Sequence, residues 1–339
     1  MRNSTGKYSK QLSDFFKKSG NIVLVTHHNP DGDAIGSMLA LYRYLADKGK
    51  HVSMVSPNSM ESFLMWMNDV DSVIIADKEK ERLADAFSQA ELIVMLDLNQ
   101  TDRTGIVKDY IEESSAARIL IDHHPGPDIK ADLLVSEPLF SSTAELVFAL
   151  VNEMENNPYR NKSFLEAIYV GMITDTGNFS FGSYNGDTLR EVAKILDSGI
   201  DKDRIISLIY DNFPLKRLKL KGFAIYERME YLEGYSSAYI YLDQNDLERF
   251  DYSPGDTEGF VNIPLSVNNV IVSALFIEKD DHIKVSLRSK GAFSVNKMAV
   301  DHFNGGGHHN AAGGRYYGTL RECCSHFRNV IQNYNDLKK

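Results

Sequence analysis

A chain of 339 residues, 43% hydrophobic and 25% charged, is long enough for two cores and has the balance of an ordinary globular protein. No apolar run approaches the ~18 residues of a membrane span, and the polar N-terminus MRNSTGKYSKQLSDFFKKSG lacks the apolar stretch of a secretory leader, so a cytoplasmic protein with no membrane partner is expected. The 47 acidic against 37 basic residues leave a net charge of −10, which disfavours long duplex DNA and leaves small anionic ligands open where bound cations receive them.

The first ~190 residues alternate strand-like and helix-like segments in the manner of βα units. Strands are predicted at NIVLVTH (21–27), HVSMVS (51–56), SVIIAD (72–77), ELIVMLDL (91–98) and ARILIDHH (117–124). Several are nearly continuous apolar runs, as expected of parallel strands covered on both faces. A helix fits Ala34 to Lys48, with Gly49 as its terminating glycine. Ser142 to Glu145 and Ser163 to Glu166 read as capping boxes that open two more. Ser142 and Thr143 are accounted for by that role and need no catalytic one. A helical, charge-rich passage over 187–232 reads as a connector. From about Tyr235 the texture changes: SSAYIYL, NNVIVSALFIE and HIKVSLRS alternate as strands, and FNGGGHHNAAGG is the one glycine cluster. The predicted fold is therefore α/β, with a mostly parallel N-terminal sheet flanked by helices (1–186), a helical connector (187–232) and a smaller C-terminal α+β domain (233–339). The only cysteines, Cys323 and Cys324, are adjacent, which suits a reducing compartment rather than a disulfide framework.

Three predicted strands end in acids or imidazoles: His27 with Asp31 and Asp33, then Asp97, then Asp122, His123 and His124. Ligands of open parallel sheets sit outside the carboxyl ends of strands, so these termini can converge. GMITDTGNF (171–179) adds Asp175 just past the helix opened near Ser163. Taken singly, each residue has an ordinary explanation: Asp97 as a cap or turn residue, Asp31-Gly32 as a turn, a histidine as a satisfied core group. Jointly they crowd carboxylates whose mutual repulsion opposes ionisation unless cations are present. Mixed Asp and His donors suit Mn²⁺, Zn²⁺ or Fe²⁺, and one shared aspartate could bridge two ions.

HHNPDGDAIGS, DLNQTDRTG, DHHP and MITDTGNF, in this order, resemble the four motifs of the DHH phosphoesterase family. SLRS and GGGHHNAAGG resemble its DHHA1 partner domain, so the likeness spans nearly the whole chain. The resemblance implies two divalent metal ions, with Mn²⁺ the usual choice. It puts His27, Asp31 and Asp97 on one ion and Asp33, Asp97, His123 and Asp175 on the other, Asp97 bridging. His124 would face the scissile phosphate. His28 falls at a variable position and is read as a spectator; Arg103 lies close enough to assist, although an ion pair explains it equally well. Asn304 stands where many relatives begin a four-glycine run.

The expected chemistry is in-line attack on a phosphate by a hydroxide bridging the ions. His124 would stabilise the equatorial oxygens. Gly305, Gly306 and Gly307 suggest a backbone anion nest, with His308 beside it and Arg288 suited to bidentate phosphate recognition. The resemblance points to hydrolysis of short single-stranded oligonucleotides (nanoRNA and pApA-like molecules), roughly two to five nucleotides long, and of 3′-phosphoadenosine 5′-phosphate. Cyclic dinucleotide phosphodiesterase and exopolyphosphatase activities are alternatives. Inorganic pyrophosphatase activity is disfavoured by the C-terminal motif, and a sensor without turnover by the complete ligand set. A homodimer is compatible with the likeness.

Overall fold

The computed structural model describes residues 5–155, 159–180 and 184–338, in two compact units that meet in sequence between Asn212 and Phe213. The first unit comprises α1 (Gly6–Lys18), β1 (Asn21–Val25), α2 (Gly32–Asp47), β2 (His51–Ser56), β3 (Ile74–Ile75), α3 (Lys80–Ser88), β4 (Leu92–Leu96), α4 (Lys108–Glu113), β5 (Ala117–Asp122), β6 (Leu133–Ser136), α5 (Thr143–Met154), α6 (Lys162–Asp175), α7 (Gly186–Asp197) and α8 (Lys202–Tyr210). Its strands pair in the order β3-β2-β1-β4-β5-β6, all parallel.

The strand sequences explain this arrangement. In β1, Ile22 and Leu24 enter the core shared with α1, α2, α5 and α6, while Val23 and Val25 enter the opposite core under α3 and α4. β4 divides likewise, with Leu92, Val94 and Leu96 on one face and Ile93 and Met95 on the other. A strand covered on both faces needs apolar residues throughout. Each such side chain contributes ~1.5–3 kcal/mol of burial.

Several local expectations need correction. The strand predicted over 72–77 is only Ile74–Ile75, and LLVS (133–136) forms β6, a strand with no counterpart in the sequence reading. Helix α2 starts two residues earlier than predicted, because Asp31 caps it by accepting from the amides of Asp33 and Ala34, both at 3.0 Å. Ser142 does cap α5, accepting from the Glu145 amide at 3.0 Å. The Glu145 carboxylate returns to the Ser141 amide and hydroxyl, so the reciprocal half of the box is displaced by one residue. No box forms at Ser163. Asn161 takes the cap, accepting from the Phe164 amide, and the Ser163 hydroxyl instead accepts from the Asn68 side-chain amide.

The passage read as a connector is divided between the units. Val192, Ile195, Ile205 and Ile209 on α7 and α8 complete the first core, whereas Leu220 and Ala224 on α9 (Leu215–Glu227) belong to the second unit. That unit continues with β7 (Met229–Leu232), β8 (Ser237–Leu242), α10 (Gln244–Arg249), β9 (Val272–Glu278), β10 (Ile283–Ser289), α11 (Val295–His302), β11 (Gly306–Gly307), β12 (Ala311–Tyr316) and α12 (Leu320–Gln332). The sheet order is β11-β12-β10-β9-β8-β7, with β8 and β9 parallel and the other pairs antiparallel. Helices α11 and α12 cover one face, α9 and α10 the other. Cys323 and Cys324 are free thiols buried on α12. The fold class is the one expected: a helix-flanked parallel sheet and a smaller α+β unit.

Candidate metal centre

The first sheet reverses its direction of winding between β1 and β4, and that switch point is where a doubly wound sheet offers a crevice. His27 lies two residues after β1, and Asp97 immediately after β4. His123 and His124 follow β5, whose last residue is Asp122. Helix α2 carries Asp33 in its first turn. Asp175 is the last residue of α6, not a residue beyond it.

Two glycines let α2, α5 and α6 come close enough to bring these groups together. A Cβ on Gly36 would lie 2.5 Å from the Ala167 carbonyl oxygen. One on Gly171 would lie 2.4 Å from Ala144 Cβ and 2.8 Å from Asp33 Oδ1. No other residue fits either position without moving a helix.

The side chains meet in two groups. In His27, Asp31 and Asp97, and again in Asp33, His123 and Asp175, one potential donor atom from each residue lies within 4.8 Å of the others. His27 Nε2 is 3.6 Å from Asp97 Oδ2 and 4.0 Å from Asp31 Oδ2. His123 Nε2 is 3.8 Å from Asp33 Oδ2, 3.7 Å from Asp97 Oδ1 and 3.6 Å from Asp175 Oδ2. These spacings are too long for hydrogen bonds. They suit atoms sharing a cation at ~2.1 Å from each. Asp97 faces both groups, one oxygen to each.

Orientation is set from outside the centre. His27 Nδ1 lies 2.9 Å from the His28 carbonyl oxygen, so a proton there donates to that carbonyl and leaves Nε2 facing the acids. His123 Nδ1 contacts the Phe140 carbonyl oxygen in the same way at 3.3 Å. The His28 amide in turn donates to the Arg103 carbonyl oxygen at 2.6 Å, tying the β1 loop to the Thr101–Val107 turn. His28 thus acts through its backbone. Arg103 forms no ion pair among the described residues.

The Asp33 carboxylate is 1% exposed and accepts from two amides at the start of α5, Thr143 at 2.6 Å and Ala144 at 2.8 Å. The Thr143 hydroxyl donates to Asp97 Oδ1 at 2.9 Å. Asp97 itself takes a left-handed backbone, φ 60°, uncommon for a residue with a side chain and frequent at functional sites. Fully buried Asp122, absent from the predicted site, lies 2.7 Å from His124 Nδ1 and fixes that ring. His124 Nδ1 is also 3.6 Å from Asp97 Oδ1.

The electrostatics describe a site short of positive charge. Burial, with the charges of Asp97, Asp175 and Asp31, pushes the Asp33 carboxyl well above its ordinary range. Burial also raises Asp175 to about 6, with Asp31 and Asp97 adding to the rise and His123 opposing it. Burial would raise Asp97 as well, but the His27 contact and the charges of His124 and His123 hold it well below the usual range. His123 is raised: burial alone would lower it, and Asp175, Asp97 and Asp122 outweigh that effect. Divalent cations would offset both the burial and the like charges that oppose ionisation of Asp33 and Asp175, so the donor set fits such ions.

The other predicted residues lie in the second unit. Arg288 is on β10, paired with Ser273 of β9 and Ala311 of β12, so it sits on an interior strand rather than an edge. Gly306 and Gly307 form β11, a hairpin arm against β12. The Gly305 amide donates to the Ala299 carbonyl oxygen at 3.2 Å and that of His308 to the Ala311 carbonyl oxygen at 2.7 Å. These two amides are thus paired within the second unit. Close backbone approach constrains two of the glycines: a Cβ on Gly305 would lie 1.9 Å from the Gly313 carbonyl oxygen, and one on Gly307 2.6 Å from that of Ala311. Asn304 adopts φ 47°, a conformation asparagine tolerates in place of glycine.

A doubly wound sheet with carboxylates and imidazoles gathered at its switch point has the layout of a metal-dependent phosphoester hydrolase. Family models agree: residues 21–172 match the DHH family N-terminal domain, and residues 234–334 the DHHA1 domain. The chain is 28% identical over 297 residues to the bifunctional oligoribonuclease and PAP phosphatase NrnA of Bacillus subtilis (strain 168), covering 87% of this chain and 89% of that protein. It is also 28% identical over 304 residues to the probable bifunctional oligoribonuclease and PAP phosphatase NrnA of Streptococcus mutans, covering 89% and 91%. Among solved structures, an exopolyphosphatase-related protein from Bacteroides fragilis superposes with a TM-score of 0.92 at 38% identity, covering 97% of this chain and 96% of that one. The chain belongs to the DHH/DHHA1 phosphoesterase family, and it is a hydrolase acting on phosphoester bonds.

Proposed function

We propose that this enzyme is a Mn²⁺-dependent oligoribonuclease that hydrolyses short oligonucleotides and also removes the 3′-phosphate from 3′-phosphoadenosine 5′-phosphate. His27, Asp31 and Asp97 hold one ion; Asp33, Asp97, His123 and Asp175 hold the second. Bound there, divalent ions acidify water and neutralise phosphoryl oxygens. The observation that carries the reading is the position of Asp97, with Oδ2 turned to His27 and Oδ1 to His123.

The side chains do the rest. His124 keeps its Nδ1 proton on Asp122, which leaves Nε2 to meet the phosphoryl oxygens where charge develops. Arg288 and His308 of the second unit recognise the anionic end of the substrate, with Gly305, Gly306 and Gly307 shaping the backbone beside them. The net charge of −10 favours short substrates, which need no basic track. The NrnA relatives support this substrate class.

A turnover assay with Mn²⁺ should compare pApA, 3′-phosphoadenosine 5′-phosphate, a cyclic dinucleotide, polyphosphate and pyrophosphate. Fastest cleavage of the first two is expected. Faster cleavage of polyphosphate or the cyclic dinucleotide contradicts the proposal, and binding without turnover of any makes the protein a sensor.

A further inference from the structure

Thr143 is the first helical residue of α5 and is fully buried. It lies past the cap, since the Ser142 hydroxyl already accepts the capping bond from the Glu145 amide. Its amide contact to Asp33 is one that any non-proline residue could make at that position. The hydroxyl contact is different, because it depends on the side chain and falls on a single oxygen of Asp97.

That oxygen is Oδ1, the one facing His123 at 3.7 Å, while Oδ2 faces His27 at 3.6 Å. Asp97 takes a left-handed backbone, a conformation that persists where surrounding contacts hold the residue. A carboxylate oxygen can accept one hydrogen bond and still offer a lone pair to a cation, so the threonine holds Oδ1 without competing for it. We propose that Thr143 is a positioning residue for the second cation, turning Asp97 Oδ1 toward Asp33, His123 and Asp175 and leaving Oδ2 for the first. The inference rests on the reading of Asp97 as the shared ligand. It differs from a capping role in predicting an asymmetry between two cation sites.

The test uses the full-length protein freed of metal and titrated with Mn²⁺, by calorimetry for affinity and by electron paramagnetic resonance for the coupling of neighbouring ions. Thr143→Val removes the hydroxyl and keeps the amide on Asp33; Thr143→Ser retains the hydroxyl. Wild type and Thr143→Ser should bind two ions with a coupled spectrum. Thr143→Val should keep the first ion at wild-type affinity and bind the second about 10–100-fold more weakly, with the coupled signal lost at concentrations that saturate wild type. If the valine variant does not fold, Thr143→Ala removes the same hydroxyl and should show the same split. Two ions bound as tightly as in wild type, or both weakened equally, would overturn the inference. Fewer than two ions on the wild type would instead refute the shared-ligand reading on which it stands.

Discussion

At the residue scale, Asp175 shows how the metal-free centre strains against itself. Its carboxyl is raised from 3.8 to about 6, chiefly by burial, so between those values the folded protein keeps a proton that the unfolded chain releases. Proton release on unfolding means that stability falls as pH rises through this window and stays lowered above it. Asp175→Asn has no such proton to lose. Without metal, that variant should therefore melt progressively higher than wild type as pH is raised from about 4 to about 7, and saturating Mn²⁺ should reverse the order. A pH-independent difference in melting temperature would show that the opposed ionisation of Asp175 is not what the cations relieve.

The acids and imidazoles of this centre were legible in the sequence because they follow strand ends and fall in ordered motifs. Asp122 was noted there as a strand-end acid, yet its support of His124 was not: an acid on a strand gives no sign of which ring it will meet. Thr143 reads in sequence only as part of the cap, because an S-T-x-E pattern already has a sufficient explanation in capping. Thr143 meets Asp97, 46 positions away, and Asp122 meets His124 through side-chain direction, and local pattern reports neither.

At the element scale, the site depends on three helices approaching more closely than ordinary side chains permit. Gly171→Ala should press against Ala144 and Asp33, lowering stability by ~1–3 kcal/mol and weakening the second cation in the same variant. Gly222→Ala on α9 is the matched control, because nothing lies within 4 Å of the added methyl; it should be neutral or stabilising by up to ~1 kcal/mol. Urea midpoints and Mn²⁺ titrations of the two variants check the contrast, and equal effects would contradict it. Apolar runs made the buried strands β1, β4 and β5 readable. The four-residue β6 escaped and the two-residue β3 reads too long in sequence, because pairing with a neighbour, not composition, defines such short strands.

On the scale of the whole molecule, the proposed function assigns chemistry and selection to different units. The first holds the acids and imidazoles; the second offers Arg288 on an interior strand and His308 after the β11 hairpin arm. His308→Ala should raise KM for pApA and leave hydrolysis of an activated aryl phosphate ester near wild type. Equal loss on both substrates would remove selection from the second unit.

The account stands most directly on anomalous diffraction from crystals grown with Mn²⁺. It predicts two peaks on either side of the Asp97 carboxylate, one joined by His27 and Asp31, the other by Asp33, His123 and Asp175. A single peak, or ions bound away from Asp97, would contradict it.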